Sequence, residues 1–453
     1  MEFKGLLPKR RTLSRAIFKL HMRQWLQNTG LVPYKGWITT RLILLRLLRW
    51  LLQLPRLLLG FIIFQIGLMA ALFLYAKIRK RGIENPFPQL EIPPLQVSNH
   101  ELQLFDDGES VFKAMLHDIE QAQHSILLES YIFEDDDVGR MFRNALIKKS
   151  REGVIVRVIF DGIGSLHVPE KFKFFGRRKN IRVLEFGRLR TLKSYFDLNM
   201  WIRTHRKILV IDHQIAYLGG MNIGRNYEKT WRDTHLKISG AMARTVAHEF
   251  IELWNANNKK YPIHFIFPPA KDEHIAIYAN NPFENRLPIR HMYLEAINGA
   301  QRNIYITNAY FLPDSGLRHA LITAAQRGVD VQIIVPSISD NIVVDWITRG
   351  IISELICYGV RVLLYKVTMI HAKTMTVDGT WSTVGSANLD ARSLGANYEI
   401  NAVVEDIPFA RQMEAMFVND RAQSSEVQAK YWLNRNLLIR AGEFALQPVR
   451  GLF

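Results

Sequence analysis

Two stretches of the chain carry the same motif, and this repetition constrains the fold more than any other feature of the sequence. HRKILVIDHQIAYLGGMN spans residues 205–222, and HAKTMTVDGTWSTVGSAN spans residues 371–388. Each contains a histidine, a lysine at +2, an aspartate at +7, a small residue at +15, an asparagine at +17 and an acid at +28. The two sets are His205, Lys207, Asp212, Gly220, Asn222, Asp233 and His371, Lys373, Asp378, Ser386, Asn388, Glu399. A single His-x-Lys is common by chance, whereas two copies that match at every offset indicate a duplicated unit.

The sequence around each motif is repeated as well. Residues 120–162 and residues 298–337 share the order of a short apolar strand, a loop, a helix that closes at a glycine, and a β-branched strand. A further strand precedes each motif and a helix follows it. Strands that alternate with helices predict an α/β fold with a mostly parallel or mixed sheet. Two copies in tandem predict a pseudo-twofold body with one site at the seam between its halves.

The spacing within the motif has a chemical meaning. KILVID and KTMTVD read as strands, in which side chains alternate between faces, so the histidine and the lysine at +2 point the same way. The acid at +28 can accept a proton from one imidazole nitrogen, which leaves the other nitrogen free to react. Two histidines, two lysines and two asparagines that converge at a seam suit a phosphodiester. Histidines that merely satisfy backbone carbonyls explain one copy of the motif but not the matched pair.

Composition narrows the choice of partner. The 453-residue chain has room for about two to three domains, and its formal net charge is +17. A balance this basic predicts an anionic partner, either nucleic acid or an acidic membrane surface. The single cysteine excludes a disulfide framework and a cysteine-based metal site. We expect Cys357 to be a small buried apolar residue.

A strongly apolar segment precedes the repeats. Residues 57–76, LLLGFIIFQIGLMAALFLYA, carry no charge and have the length that crosses a bilayer. Basic residues flank the segment on both sides, which argues against a buried core helix, and its late start argues against a cleaved signal peptide. Residues 38–56 mix arginine with leucine and tryptophan, and either lie in the membrane interface or form the first arm of a short hairpin. We therefore predict a membrane-anchoring helical region over residues 1–90, with its orientation left open.

The twin His-x-Lys-x4-Asp motifs resemble those of the phospholipase D superfamily. More narrowly, ESYIFEDDDVGR, NAYFLPDSGLRHAL and VGSANLDARSLGANYEINAVV, together with the first motif, are similar to bacterial cardiolipin synthases over residues 98–425. The resemblance implies two tandem phospholipase D-like α/β/α domains whose sheets share one central active site. We place these domains at residues 91–270 and 271–430. A basic amphipathic tail follows at 431–453, and membrane contact and packing onto the domain are equal alternatives for it.

The resemblance also implies a role for each motif residue. His205 would attack the phosphodiester and form a phosphohistidine, and His371 would protonate the leaving alcohol and then deprotonate the incoming one. The near-symmetry of the sequence does not itself assign these two roles. Asp212 and Asp378 are expected to support the catalytic set through ion pairs. The side chains expected to hold phosphate oxygens are Lys207, Lys373, Asn222, Asn388 and Ser386, and those expected to orient the imidazoles are Asp233 and Glu399.

The function that the resemblance implies is cardiolipin synthesis from two phosphatidylglycerol molecules, with release of glycerol. The alternatives are a phospholipase D-type hydrolase, a phosphatidyltransferase with another donor or acceptor, a nuclease of the same superfamily, and a non-enzymatic membrane scaffold. The intact motifs argue against the scaffold, and the apolar segment argues against a soluble nuclease. We expect phospholipid substrates (phosphatidylglycerol and cardiolipin), no metal or other cofactor, no nucleic-acid partner, and an integral position in the bacterial inner membrane. The sequence leaves the oligomeric state open.

Overall fold

A computed structural model describes residues 58–75, 87–176, 179–188, 201–265 and 267–452. The predicted amphipathic segment at 38–56 lies outside these residues. Helix α1, Leu58–Tyr75, is a run of 18 residues with a mean hydropathy of 2.3 and no charged side chain. At 1.5 Å per residue it is about 27 Å long, close to the roughly 30 Å of hydrocarbon in a bilayer. It is the one helix among the described residues with the length and composition to cross a membrane.

The first motif lies in an eight-stranded mixed sheet of order β1-β2-β8-β7-β6-β3-β4-β5. β3, β4 and β5 are parallel, and all other neighbours are antiparallel. The strands are β1 Leu95–Val97, β2 His100–Phe105, β3 Ser125–Ser130, β4 Ile155–Asp161, β5 Ile181–Phe186, β6 Ile208–Ile211, β7 Ile215–Gly219 and β8 His235–Ser239. The helices are α2 Gly108–Gln121, α3 Asp137–Arg151, α4 Glu170–Lys173, α5 Arg225–Lys229 and α6 Ala243–Asn257.

The second motif lies in a second eight-stranded sheet, of order β16-β12-β11-β10-β13-β14-β15-β9. β10, β11 and β12 are parallel, and the other neighbours are antiparallel. The strands are β9 Ile275–Asn280, β10 Asn303–Asn308, β11 Asp330–Pro336, β12 Arg361–Tyr365, β13 Lys373–Val377, β14 Trp381–Gly385, β15 Glu399–Glu405 and β16 Ser424–Glu426. The helices are α7 Pro288–Gly299, α8 Ser315–Gln326, α9 Ile342–Ile356, α10 Ala391–Gly395, α11 Ile407–Ala422, α12 Ala429–Leu433 and α13 Leu437–Leu446, with 3-10 turns at Pro282–Glu284 and Gln447–Leu452.

The two sheets have the same topology. Without the edge strands β1 and β16, both have seven corresponding strands in the same order, with the motif strands β6 and β13 at equivalent positions. In each half, an aspartate caps the N-terminus of the helix that follows the first parallel strand. Asp136 accepts a hydrogen bond from the Gly139 N–H at 2.9 Å, and Asp314 accepts one from the Leu317 N–H at 3.0 Å. The predicted α/β repeat with mixed sheets is confirmed.

The two halves share one hydrophobic core. Helix α6 contributes Phe250 and Trp254 to it, spaced so that both lie on one helix face. Helix α11 contributes Met413 from the other half. Phe186 of β5 and Tyr398, just before β15, meet edge to face with ring centroids 5.7 Å apart. Because this core is continuous, the halves cannot separate without exposing it.

A buried ion pair also joins the halves. Arg232 of the first half donates to both carboxylate oxygens of Asp420 on α11, at 2.9 and 2.8 Å. Its remaining nitrogen donates to the Asp233 carbonyl and the Thr234 hydroxyl. Arg232 and Asp420 are each 2% exposed. Arg232 thus ties Asp233 and Thr234 to α11 of the other half.

The expectation for Cys357 was wrong, because this residue is exposed. It directly follows α9, whose core-facing residues near this end are Ile351, Ile352 and Leu355. A residue two positions beyond Leu355 lies on the opposite side of the helix. The thiol therefore points away from the core.

We predict that Asp420→Asn destabilises the fold strongly. The substitution leaves the Arg232 guanidinium buried without a countercharge, which typically costs about 3–5 kcal/mol of unfolding free energy. Glu426→Gln is the matched control, because Glu426 pairs with Arg361 at 2.8 Å but both side chains are 35% exposed. An exposed pair contributes roughly 0–1 kcal/mol. Thermal unfolding of both variants in detergent measures the difference, and equal midpoints would contradict the prediction.

Candidate active site

Each motif histidine lies where its chain enters a strand at the seam. His205 and Lys207 immediately precede β6, and His371 is two residues before the start of β13 at Lys373. Lys373 pairs with Asn308, the last residue of β10. The motif therefore lies at the carboxyl end of the parallel strands, which is where α/β folds commonly place their ligand sites.

The acid of one half holds the histidine of the other. Nδ1 of His205 lies 2.9 Å from Oε1 of Glu399, and Nδ1 of His371 lies 2.6 Å from Oδ2 of Asp233. Both carboxylates are fully buried. The spacing of the motif predicted that these acids orient the imidazoles, but it did not say which acid serves which histidine. A complete histidine–acid pair therefore requires both halves of the chain.

Backbone hydrogen bonds between the two halves place each histidine next to the acid of the other half. The His205 N–H donates to the Tyr398 carbonyl at 2.9 Å, and the His371 N–H donates to the Arg232 carbonyl at 2.6 Å. These are matching positions, since Tyr398 and Arg232 each precede the acid of their half. Because the acid follows directly, its carboxylate is brought next to the imidazole.

Burial and neighbouring charges set the protonation of these groups. Burial lowers the pKa of His205 to about 4, although Glu399 raises it and Lys207 lowers it further. Burial also lowers the pKa of His371, with Lys373 acting in the same direction and Asp233 opposing both. Burial by itself raises the pKa of Asp233, but His371 and Lys373 bring it down to about 2. At neutral pH the imidazoles are neutral and Asp233 is ionised.

A neutral imidazole that donates from Nδ1 to a carboxylate carries its lone pair on Nε2. Both histidines have this arrangement. Each therefore offers Nε2 as a nucleophile or as a proton acceptor, while the carboxylate behind it stabilises the cation that forms when Nε2 reacts.

The two lysines place positive charge at the seam. Burial lowers the pKa of Lys373 to about 8, opposed by Asp233 and Glu399. Burial holds the pKa of Lys207 well below its usual value, opposed by Glu399, with Lys373 lowering it further. Each ammonium group donates to the carbonyl of the histidine two residues before it. Neither forms an ion pair with a carboxylate among the described residues, so both can bind an anion.

The two asparagines lie at the seam in slightly different settings. Asn222 and Asn388 are 1% and 3% exposed. Oδ1 of Asn222 accepts a hydrogen bond from the Ile132 N–H at 3.0 Å. Oδ1 of Asn388 has no hydrogen-bond partner within the described part of the chain. A buried amide oxygen without a partner is costly, so this position has unused capacity for a hydrogen bond.

Ser386, which is predicted to hold a phosphate oxygen, contacts an acid of its own half. Its hydroxyl donates to Oε2 of Glu399, and the residue is fully buried. At the matching position Gly220, an added Cβ would lie 2.1 Å from Oδ1 of Asp233. The residue at +15 is therefore small because a carboxylate packs against it. Ser386 therefore supports Glu399 through this hydrogen bond.

Within the described ranges, Asp212 and Asp378 form hydrogen bonds to backbone rather than the expected ion pairs. The Asp212 carboxylate accepts hydrogen bonds from three backbone N–H groups at 2.7–2.8 Å, and the Asp378 carboxylate accepts three at 2.7–3.0 Å. Both residues have positive φ, 51° and 55°, in the hairpin turn at the far end of the motif strand. Each aspartate is five positions along the chain from the motif lysine, a distance of about 16 Å in a strand. They fix the turn to the start of the neighbouring parallel strand.

Aromatic rings enclose both imidazoles, and sequence reasoning did not identify them. The rings of Tyr131 and His205 are 5.0 Å apart, edge to face. Tyr227 and Trp231 lie 5.5 and 5.4 Å from His371. These rings exclude water from the histidines. Trp231 had one sequence signal, its position two residues before Asp233, but nothing in the motif pattern indicates Tyr131.

Arg206, between His205 and Lys207, was also missed. Because strand side chains alternate, it points away from its two neighbours. Its guanidinium donates to both oxygens of Glu129 on β3, at 3.0 and 3.1 Å. The Thr204 hydroxyl donates to the same carboxylate. These hydrogen bonds fix the residues just before β6 on the side of the strand opposite to His205.

Among the described residues, one group consists of side chains of the kinds that can bind a metal ion. His248, Glu249 and Glu252 lie together on α6. Arg286 forms ion pairs with both carboxylates, at 3.1 and 2.6 Å. Because a guanidinium already occupies these oxygens, we assign the group a structural role.

Comparison with known proteins agrees with this geometry. The family model described as "Cardiolipin synthase, PLD-like domain" matches residues 115–254 and 293–421, which contain the two motifs. The major cardiolipin synthase of Bacillus subtilis (strain 168) is 34% identical over 360 residues, covering 76% of this chain and 74% of that protein. A cardiolipin synthase of Clostridium perfringens (strain SM101) is 33% identical over 370 residues, covering 78% and 77%. Cardiolipin synthase A of Pseudomonas entomophila (strain L48) is 34% identical over 343 residues, covering 74% and 71%.

A solved structure shares the fold. The crystal structure of phosphatidylserine synthase from Haemophilus influenzae aligns with a TM-score of 0.61 at 13% identity, covering 83% of this chain and 96% of that one. At this identity the likeness concerns the architecture alone. The family model and the sequence matches show that this chain belongs to the cardiolipin synthase family of phospholipase D-like proteins.

Proposed function

We propose that this protein is a cardiolipin synthase, which transfers a phosphatidyl group from one phosphatidylglycerol to the hydroxyl of another and releases glycerol. The observation that carries the proposal is the crossed pair of buried histidines, each beside a lysine, in a chain about one-third identical to several cardiolipin synthases. Two imidazoles are needed because one must bond to phosphorus while the other handles protons. The lysines neutralise the phosphodiester charge.

In the first half-reaction, Nε2 of His205 attacks the phosphorus of the donor lipid. The bond from phosphorus to the glycerol headgroup oxygen breaks as the N–P bond forms. The bound phosphodiester is an anion and favours the protonated form of His371, whose cation Asp233 also stabilises. His371 gives its proton to that oxygen, and glycerol leaves. Lys207 and Lys373 bind the non-bridging oxygens, where negative charge concentrates in the transition state.

In the second half-reaction, the terminal hydroxyl of another phosphatidylglycerol takes the place of glycerol. His371, now neutral, accepts the hydroxyl proton as the oxygen bonds to phosphorus. The N–P bond to His205 breaks, which gives cardiolipin and restores both histidines. Water is a competing acceptor, and the aromatic rings around the imidazoles limit its access. Positioning of the lipid hydroxyl can offset the concentration of water, since alignment can contribute roughly 7–11 kcal/mol in favourable cases.

Three observations support His205 as the nucleophile. Its side chain is 13% exposed, compared with 6% for His371, so a lipid phosphate reaches it more easily. Burial lowers its pKa to about 4, so it is unprotonated at neutral pH. The hydrogen bond to Asp233 is the shorter of the two, at 2.6 Å, and suits a histidine that alternates between charge states.

We further propose an anchoring region over residues 1–90, catalytic domains over 91–270 and 271–430, and a tail over 431–453. The two segments that match the family model fall inside the proposed domains. Helix α1 supports an integral position in the bacterial inner membrane, because its 18 residues carry no charge.

Purified protein given phosphatidylglycerol alone tests the reaction. We expect cardiolipin and free glycerol in equal amounts, with phosphatidic acid as a minor product, measured by mass spectrometry of lipids and assay of glycerol. Added glycerol should re-form phosphatidylglycerol from cardiolipin, because the bonds exchanged are nearly equal in energy.

His205→Ala and His371→Ala are each expected to abolish turnover. A dominant yield of phosphatidic acid would instead identify a hydrolase, and substantial activity in either variant would refute the shared site.

The acid limb of the pH–rate profile should report His205. Its neutral form is the nucleophile, so kcat/KM should rise as pH increases through about 4. Glu399→Gln removes a charge that raises this pKa, so the limb should move to lower pH while the rate falls. Asp233→Asn is the control, since Asp233 faces His371, and it should lower the rate without moving the limb. An acid limb unchanged by Glu399→Gln would contradict the assignment.

Membrane insertion is tested by extraction. An alkaline carbonate wash of membranes should leave the full chain in the pellet, because α1 is held by the hydrocarbon core. A chain that begins near Gln89 should become extractable by the same wash. If the full chain washes off, α1 is an interfacial or core helix.

A further inference from the structure

The C-terminal tail exposes a cluster of large apolar side chains. Tyr431 on α12 is 73% exposed, and Leu437, Leu438 and Phe444 on α13 are 77%, 81% and 76% exposed. These are the four most exposed large apolar residues in the described part of the chain, above every residue of α1. Three of the four lie on the single ten-residue helix α13, and large apolar side chains exposed together on one helix mark an interaction surface.

This exposed face belongs to an ordered, docked segment. The Trp432 indole N–H donates to the Ser353 hydroxyl of α9 at 3.1 Å, and the Gln447 amide donates to the Ile347 carbonyl at 3.0 Å. On α13, Glu443 and Leu446 are buried, at 3% and 0% exposed. The helix thus packs one apolar face onto the domain and presents a second apolar face outward.

The charges of the tail favour an anionic partner. Residues 430–453 contain four basic side chains and one acid. That acid, Glu443, is buried in an ion pair with Arg435 at 2.6 Å. Arg440 is exposed on α13 and forms no ion pair with a carboxylate among the residues described. Lys430 is exposed next to Tyr431. Leucine and aromatic residues with arginine and lysine at their margin are typical of helices that lie in a bilayer interface.

The tail also reaches the edge of the sheet that carries the catalytic residues. Trp432 lines a cavity of about 230 Å³ together with Ala309, Pro336 and Lys366, which lie at or just beyond the carboxyl ends of β10, β11 and β12. The Ala309 N–H donates to the carbonyl of Ala372, between His371 and Lys373. Trp432, next to the exposed Tyr431, therefore places α12 beside the catalytic edge.

We propose that α12 and α13 form an interfacial docking surface for an anionic phospholipid bilayer, with Tyr431, Leu437, Leu438 and Phe444 inserted among the lipids and Arg440 at the headgroup level. This contact holds the catalytic edge of the second sheet against the membrane surface. It is distinct from insertion of α1 and goes beyond the proposed reaction, because it is measured without turnover.

Fluorescence of the full chain in vesicles tests the contact. In a Cys357→Ser background, Leu438→Cys is labelled with an environment-sensitive nitrobenzoxadiazole dye and reconstituted in equal amounts of phosphatidylcholine and phosphatidylglycerol. Ile155→Cys is the matched control, because Ile155 is also exposed and apolar, at 46%, but lies at the amino end of β4 in the first sheet, away from the carboxyl ends of the parallel strands. We expect blue-shifted emission and quenching by nitroxide-labelled lipids at position 438 and neither at 155. The effect should weaken in phosphatidylcholine alone.

Two results would overturn the proposal. One is that the dye at position 438 keeps, in the mixed vesicles, the emission wavelength of a dye exposed to water. The other is a blue shift that grows with the protein-to-lipid ratio but resists quenching by nitroxide lipids, which would assign the face to a second copy of the chain. Because neither readout depends on lipid turnover, the proposed reaction and this contact can fail independently.

Kinetic measurements on the double variant Leu437→Ser/Leu438→Ser also test the contact. The thermal midpoint should not change, because both side chains are already exposed. The KM for phosphatidylglycerol in vesicles should rise at least about fivefold, since apolar contact with lipid is lost, while kcat stays the same. Ile155→Ser should change neither constant. An unchanged KM in the double variant contradicts the proposal.

Discussion

The crossed hydrogen bonds between each histidine and the acid of the opposite half are the interaction on which the rest of the structure depends. His205 with Glu399 and His371 with Asp233 are each separated by more than a hundred residues in sequence, at 194 and 138 positions. The backbone bridges at the seam, the continuous core and the Arg232–Asp420 pair all keep these contacts in place. Neither half on its own holds a histidine beside its orienting carboxylate, which explains why one chain carries the motif twice.

The seam concentrates charge in a place that water scarcely reaches. Two ammonium groups, two carboxylates and two imidazoles lie there almost fully buried, and burial lowers the pKa of both lysines and both histidines. Such an arrangement is costly without an anion to complete it. It is suited to a phosphodiester, whose negative charge the lysines can stabilise without reorganisation. The same burial keeps His205 unprotonated and available as a nucleophile.

The substrates of the proposed reaction are lipids, so access to the seam has to come from a membrane. Helix α1 has the length and composition of a membrane span. The apolar face of α12 and α13 provides a contact of another kind, since it lies on the surface and borders the catalytic sheet edge. Confining the acceptor to a bilayer beside the site favours its hydroxyl over water.

The sequence by itself determined the duplicated α/β unit, the two sets of motif residues and the apolar helix. These features depend on local spacing: strand alternation places His205 and Lys207 on one face, and an uncharged run of this length suits a bilayer. Only the tertiary structure decided which acid serves which histidine, that Ser386 supports Glu399, and that Asp212 and Asp378 cap distant turns. It also revealed Tyr131 beside His205 and Arg206 on Glu129. These contacts join residues between 13 and 194 positions apart. The histidine–acid contacts arise where the two halves meet, and the others arise from packing within one half. No periodicity along the chain encodes either kind.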